Sequence, residues 1–180
     1  MGKNCKYYST SCKVNGIEFG CSVLALFYPG VKIKEGESFT DDQFEYVSEL
    51  GKEWQKGHLL AKSLGGQNVG ANMLPMKQSF NDGTFKSFEV RLKNIVENLS
   101  AIQKAAGCTS IYLKYNVEVN SASAKVIKDI AIPTQIVCNV GIYNAIDNKH
   151  LSKMPIVCAF TKLDLDYSVL GKHIFETNSE

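Results

Sequence analysis

The clearest periodic pattern of apolar side chains lies in the middle of the chain, between residues 78 and 106. Apolar positions recur there at three- and four-residue spacings, the period of a helix with one buried face. Gly107 follows directly and is a common residue at a helix end. The pattern predicts a helix over residues 78–106. Its apolar positions are Phe85, Phe88, Leu92, Ile95, Val96, Leu99 and Ile102.

Four other runs have the β-branched and aromatic composition of buried strands. They are "GIEFGCSVLALFYPG", "TSIYLKYNVEV", "IPTQIVCNVGIYNAI" and "MPIVCAFTKLDL". A fifth run, "SFTDDQFEYVSEL", fits a short helix or an edge strand equally well. Because three of the strands follow the long helix in succession, we expect an α+β fold with a central antiparallel sheet and helices. No repeat, low-complexity tract or long linker interrupts the pattern, which predicts one domain over residues 1–180.

The composition is that of an ordinary globular protein and does not indicate a particular binding partner. The chain has 180 residues, 44% hydrophobic and 21% charged, so it can bury a substantial core. The formal net charge of +2 neither indicates nor excludes nucleic acid, because a local basic patch matters more than the total. Arg91 is the only arginine, so phosphate contacts would be made mostly by lysine point charges.

Compartment and redox state stay open. No run approaches the length of a membrane span, and the first residues lack the apolar segment of a secretory signal. The chain could still be the mature part of a secreted precursor. Six cysteines form no CxxC pair, which argues against zinc but leaves disulfides and buried free thiols as alternatives. The cysteines are Cys5, Cys12, Cys21, Cys108, Cys138 and Cys158.

Five residues between positions 57 and 89 suggest hydrolytic chemistry. Gly57 precedes His58 and leaves room for a substrate backbone, and a histidine can activate water near neutral pH. Asn72 precedes a short extended segment, whereas Asn81 falls at the start of the predicted helix. Glu89 follows eight residues later on about the same helix side. Amide and carboxylate oxygens suit Mg²⁺. Taken singly, these residues would be a core histidine, a turn, a helix cap and a solvated glutamate.

Their joint spacing resembles the DNA/RNA non-specific endonuclease family, whose sites are built on a ββα-metal motif. "QKGH" stands where the family usually has Asp-Arg-Gly-His, and "NMLPMKQSFNDGTFKSFE" carries its Asn-x-x-Pro, Asn-x-Gly and downstream glutamate. "HLLAKSLGG" is similar to bacterial toxin-type members. The resemblance covers residues 54–97, which it implies form a ββα-metal finger carrying the site.

The resemblance implies a role for each matching residue. His58 would be the general base, and Asn81 the direct ligand of one Mg²⁺, for which Mn²⁺ or a similar ion can substitute. Glu89 would act on the metal through water, and Asn72 would brace the site. DNA and RNA would be the substrates, cleaved at phosphodiester bonds.

The sequence departs from the family pattern at two places. Gln55-Lys56 replaces the Asp-Arg pair, which removes an acidic and a bidentate contact, and Met76 replaces a usual glutamine. Lys56 still supplies positive charge. Arg91 and Lys93, next to Glu89 on the helix, are the other candidates for phosphate binding.

The sequence therefore predicts a metal-dependent, non-specific endonuclease. The toxin-type resemblance suggests a secreted effector with an immunity or inhibitor protein as partner. One alternative is a nucleic-acid-binding protein of the same fold with weakened catalysis. Another is an extracellular binding domain framed by disulfides.

Overall fold

A five-stranded antiparallel sheet forms the centre of the protein, with its strands in the spatial order Cys5–Val14, Ile17–Phe27, Ile111–Val119, Gln135–Asn144 and Gly171–Glu176. The computed structural model describes residues 5–30, 32–36, 45–151 and 153–177. The elements in chain order are β1 (Cys5–Val14), β2 (Ile17–Phe27), α1 (Tyr46–Leu50), β3 (Trp54–His58), β4 (Met73–Lys77), α2 (Lys86–Glu97), α3 (Leu99–Ala105), β5 (Ile111–Val119), β6 (Lys125–Ile127), β7 (Ile130–Ile132), β8 (Gln135–Asn144), α4 (Lys153–Lys162) and β9 (Gly171–Glu176).

Alternation along β5 separates the two faces of this sheet. Leu113, Tyr115 and Val117 are fully buried, whereas Lys114 and Asn116 between them are half-buried. Successive side chains of a strand point to opposite faces, so the odd-numbered positions of β5 face the core. The fold is thus α+β with a central antiparallel sheet and helices, as predicted.

The segment that follows β2 forms a smaller unit on the core face. Strands β3 and β4 pair antiparallel, with Gly57 opposite Leu74 and His58 opposite Met73. Residues 59–72 connect them through two short 3-10 turns, and the helical segment begins directly after β4. We call residues 54–97 the finger. The Tyr115 hydroxyl donates to the Leu59 carbonyl at 3.0 Å and ties the finger to β5.

The predicted helix over residues 78–106 is present but not uniform. Phe80–Phe85 form a π-helical segment, α2 follows, and a turn at Asn98 separates α2 from α3. All seven apolar positions that predicted the helix are buried, because the three segments continue one apolar face. The period of apolar residues predicted the helical segment, but it gave no sign of the π-helical turns or of the break at Asn98.

Three of the four predicted strands are confirmed, as β2, β5 and β8. The prediction of a strand for "MPIVCAFTKLDL" is wrong. Lys153–Lys162, which begin one residue before this run, form helix α4. Ile156, Ala159 and Phe160 are buried there, at helical spacing, so the apolar run covers one helix face. Strands β1 and β9 were not predicted. In the ambiguous run, Tyr46–Leu50 are helical, and residues 38–44 lie outside the described part.

The five cysteines whose side chains the structure describes are all free thiols. Cys138 is buried in β8, as the free-thiol alternative expected, whereas Cys158 on α4 is exposed. Cys12 and Cys21 lie close enough to interact, and burial together with this neighbour raises the pKa of Cys12 to about 12. Among the described residues, no helix has the length and apolarity that crossing a membrane requires.

Candidate active site

A pocket of about 280 Å³ in the finger brings together three of the residues singled out in the sequence. His58 reaches it from the end of β3, Asn81 from the π-helical segment, and Glu89 from α2. The sequence places these residues far apart, and the ββα arrangement brings them to one surface. The other lining residues are Ala61, Lys62, Ser63, Asp82, Lys86 and Val90.

His58 is held by a side chain that no motif in the sequence indicates. Its Nε2 hydrogen-bonds with Oδ1 of Asn68, a residue in the loop between β3 and β4. With Oδ1 as acceptor, Nε2 carries the proton and Nδ1 is the basic nitrogen. Burial lowers the pKa of His58; the Asn68 bond opposes this, and the charge of Lys62 adds to it. The ring is therefore neutral at neutral pH, the state that a general base needs.

Asn72 lies outside the pocket and organises the loop that precedes it. The side chain is fully buried, and its Oδ1 accepts from the Leu60 amide at 2.9 Å. Its Nδ2 donates to the carbonyls of Leu60, at 3.0 Å, and Gln67, at 2.9 Å. One amide thus satisfies three backbone groups, as a bracing residue does. Asn72 fixes the loop that carries Asn68, and through it the imidazole of His58.

Gly57 and Gly66 in this unit are closely packed, and Gly65 has a backbone conformation that favours glycine. A Cβ on Gly57 would lie 2.2 Å from the Sδ of Met76. The Met76 side chain therefore fills the space beside Gly57 that was expected to admit the substrate backbone. The prediction of an open approach at Gly57 is therefore wrong. In the Leu-Gly-Gly turn, Gly65 has a φ of 89°. A Cβ on Gly66 would lie 1.8 Å from the Leu60 carbonyl oxygen.

Asn81 is oriented by the residue that departs most clearly from the family pattern. Its Nδ2 donates to Oε1 of Gln55 at 2.8 Å, and Nε2 of Gln55 donates to Oδ2 of Asp82 at 3.1 Å. The Asn81 amide oxygen is then the atom of this side chain available to a cation. The Gln55 amide accepts from one neighbour and donates to the other, which an ionised carboxylate at this position could not do because it only accepts. Asn81 lies in a π-helical turn rather than at a helix cap, and such turns often occur at functional sites.

Glu89 contributes a buried carboxyl group with an unsatisfied oxygen to this pocket. Its Oε1 is buried and has no hydrogen-bond partner among the described residues. Burial raises the pKa of Glu89 to about 8, against the opposing charge of Lys86. A buried carboxylate with an unsatisfied oxygen is stabilised by a nearby positive charge.

These donors fit a hard divalent cation better than zinc. One amide oxygen and one carboxylate are available, and both are oxygen ligands. No group of three or more His, Cys, Asp or Glu side chains that could hold a metal occurs in the described ranges. A cation, or a water molecule bound to it, would satisfy the unpartnered Oε1 of Glu89.

The structure does not bring the predicted phosphate-binding residues into the pocket. Lys56 lies in a separate depression with Trp54. The Arg91 guanidinium contacts Asp166 at 3.2 Å, and Lys93 pairs with Glu97 at 3.8 Å.

The basic side chains that do line the pocket are Lys62 and Lys86. In the sequence both are ordinary members of a lysine cluster around the motif, and only their spatial position distinguishes them. Together with His58, Asn81 and Glu89, they give a small site with a base, oxygen ligands and positive charge.

The comparison with protein families agrees. A model of the DNA/RNA non-specific endonuclease family matches residues 34–123, half of the 180-residue chain. The chain belongs to that family, and it is a hydrolytic endonuclease by class. No curated protein matches it.

Solved structures share the fold at low sequence identity. One, described as an extracellular endonuclease, superposes with a TM-score of 0.58 at 12% identity and covers 99% of this chain and 81% of its own. Another, the Sda1 nuclease with a bound zinc ion, gives a TM-score of 0.52 at 8% identity, covering 97% of this chain and 75% of its own. At these identities the likeness establishes the fold alone.

Proposed function

We propose that the protein is a metal-dependent endonuclease that hydrolyses phosphodiester bonds in DNA, and in RNA, with little sequence preference. The observation that carries the proposal is the convergence of His58, Asn81 and Glu89 on one pocket. Family membership supports the class of reaction, whereas the residue roles rest on the geometry of this chain.

His58 acts as the general base. Its Nδ1 takes a proton from the attacking water, and Asn68 keeps the imidazole in the tautomer that makes Nδ1 basic. The partial burial of the ring keeps it neutral before the reaction and favours release of the proton afterwards. Lys62 and Lys86 attract the phosphate group and hold it against the base.

Asn81 and Glu89 would hold a divalent cation, Asn81 directly through its amide oxygen and Glu89 through water. Mg²⁺ matches this oxygen set, and Mn²⁺ or a similar ion could replace it. Such a cation would supply charge stabilisation for the phosphate and the leaving 3′ oxygen. Asn72 supports the site by bracing the loop beneath it.

We extend the proposal to the organisation and setting of the protein. Residues 1–180 form one nuclease domain, a reading supported by the continuous buried core that joins sheet, finger and α4. A secreted role is supported by the likeness to a solved extracellular endonuclease and by the toxin-type "GHLLAKSLGG". A toxin of this type would be paired with an immunity or inhibitor protein.

Plasmid DNA and a long RNA, incubated with protein in Mg²⁺ or EDTA, test the activity. We expect cleavage in Mg²⁺, none in EDTA, and a loss of about 10²- to 10⁴-fold in His58→Ala. Lys104→Ala is the control, because Lys104 is exposed and does not line this pocket. A wild-type protein that binds DNA without EDTA-sensitive cleavage would instead be a catalytically weakened binding protein.

A further inference from the structure

A second concave site lies on the face of the sheet opposite the finger. It encloses about 400 Å³, and polar or aromatic side chains from β5, β8, β9 and the segment after β8 line it. Its side chains include Lys114, Asn116, Asn139, Tyr143, His150 and Lys172. No carboxylate belongs to this lining in the described part of the chain.

Strand register shows that this concavity is separate from the active site. Asn116 pairs with Asn139 across β5 and β8, and Asn139 pairs with Lys172 across β8 and β9, so these three side chains share one face. Tyr115, the neighbour of Asn116, points the other way and donates to the finger at Leu59. A ligand in the concavity would therefore lie across the sheet from His58. We call the site the far-face pocket.

The two lysines that line the far-face pocket, Lys114 and Lys172, give it positive charge. Neither Lys114 nor Lys172 forms an ion pair with any residue that the structure describes. The Lys114 Nζ lies 5.9 Å from the centre of the Tyr143 ring. Glu118 lies on the same face of β5 but does not line the pocket, and its carboxylate accepts from Asn116 Nδ2 at 2.9 Å. Two unpaired ammonium groups at one concavity suit an anionic ligand.

The aromatic wall of the pocket consists of rings in contact with one another. The rings of Tyr143 and His150 meet edge to face with centroids 5.0 Å apart, and Tyr143 also stacks on Tyr112 at 5.4 Å. A Cβ on Gly141 would lie 2.7 Å from the Tyr143 ring and 3.2 Å from that of His150. Both rings can therefore pack against the strand because Gly141 has no side chain. An aromatic wall is a stacking surface for a planar group.

We propose that the far-face pocket binds a nucleotide unit, either a free mononucleotide or one residue of a single-stranded chain. Lys114 and Lys172 contact its phosphate, and the base packs against Tyr143 and His150. The amides of Asn116 and Asn139 supply hydrogen-bonding groups for the base edge or the sugar. This binding does not depend on cleavage, because no catalytic residue takes part.

NMR spectra of isotope-labelled protein in EDTA test the site with three probes: deoxyadenosine monophosphate, a single-stranded DNA of about 12 nucleotides, and inorganic phosphate. We expect saturable shifts at Asn116, Asn139 and Gly141. The Lys114→Ala/Lys172→Ala variant weakens binding by about fivefold or more. Lys104→Ala/Lys125→Ala, which removes two exposed lysines elsewhere, leaves binding unchanged.

The outcomes separate the alternatives. Shifts with the mononucleotide indicate a free nucleotide as a sufficient ligand, and shifts with the oligonucleotide alone indicate a polymer. Equal shifts with inorganic phosphate, unaffected by Tyr143→Leu, would overturn the nucleotide assignment in favour of a simple anion site. Shifts confined to Ser63, Asp82 and Lys86 would also overturn it, while leaving the proposed nuclease function intact.

Discussion

Two titratable side chains in the active-site pocket have pKa values moved in opposite directions by the same cause. Burial disfavours a charged group, so it lowers the pKa of His58 and raises that of Glu89. The consequences differ, because a neutral histidine can act as a base, whereas a protonated glutamate holds a cation or its water less strongly than the carboxylate does. Each shift gives a prediction that can be tested at the residue itself.

The pH dependence of cleavage reports on His58. Because its pKa is lowered from the ordinary 6.5, we expect the rate at saturating Mg²⁺ to fall only below that pH. Asn68→Ala removes a bond that raises this pKa, so the acid limb moves to lower pH and the plateau falls roughly 10- to 100-fold. Asn68→Asp keeps an acceptor and adds negative charge, which moves the limb to higher pH. An unchanged limb in both variants would show that Asn68 does not position the base.

Thermal unfolding in EDTA reports on Glu89. Its pKa is raised from 4.5 to about 8 in the folded protein, so the folded state binds the proton more tightly. The free energy of unfolding therefore decreases as pH rises through this window and is unaffected below it. We expect Glu89→Gln to unfold at about the wild-type temperature near pH 4.5.

Above pH 8 the same variant should be the more stable by about 1–3 kcal/mol, or roughly 2–10 °C in Tm. Added Mg²⁺ should stabilise the wild type and have much less effect on Glu89→Gln. Glu97→Gln, an exposed position on the same helix, is the control. Equal melting temperatures at every pH would contradict a destabilising carboxylate at position 89.

At the scale of elements, the β3–β4 hairpin and the loop between its strands determine where the base lies. Gly57 and Met76 pack against each other across the hairpin, one residue before His58. Asn72 then closes the loop by bonding three backbone groups. The precision of the site thus depends on packing between two strands as well as on the catalytic residues.

Gly57→Ala tests this packing. The added Cβ would meet the Met76 Sδ at 2.2 Å, so we expect a loss of about 1–3 kcal/mol in stability and reduced cleavage. Met76→Ala in the same chain frees the space and should recover part of both losses. The four proteins of this double-mutant cycle are compared by chemical denaturation and plasmid cleavage. Purely additive losses would mean that the two side chains do not share the space.

At the scale of the whole molecule, binding of a nucleic acid depends on where positive charge lies. The net charge of +2 is small, so a few local lysines must supply the phosphate contacts. Sequence proximity favours Lys56, Arg91 and Lys93, whereas the pocket is lined by Lys62 and Lys86. The two sets can be distinguished by salt dependence.

We expect Lys62→Ala/Lys86→Ala to weaken DNA binding and to reduce the slope of log affinity against log salt by about 2. Arg91→Ala/Lys93→Ala should change neither by much, because these side chains pair with Asp166 and Glu97. Fluorescence anisotropy with duplex DNA, in a His58→Ala background that prevents cleavage, measures both. If the second variant loses the larger slope, the phosphate path runs along α2 instead.

Patterns along the chain predict the class of fold, three central strands, the long helical segment and the spacing of His58, Asn72, Asn81 and Glu89. Apolar period and motif spacing are local properties, and they carry this information directly. The run that forms α4 was predicted as a strand because a short apolar segment fits either period.

Which side chains meet depends on the tertiary structure. Asn68 contacts His58 because Asn72 folds the intervening loop, and Gln55 contacts Asn81 across the finger. The space beside Gly57 is filled by Met76, and Lys62 and Lys86 rather than Arg91 face the pocket. These contacts join residues that lie far apart along the chain. No local pattern encodes them, since they depend on how the strands and helices pack.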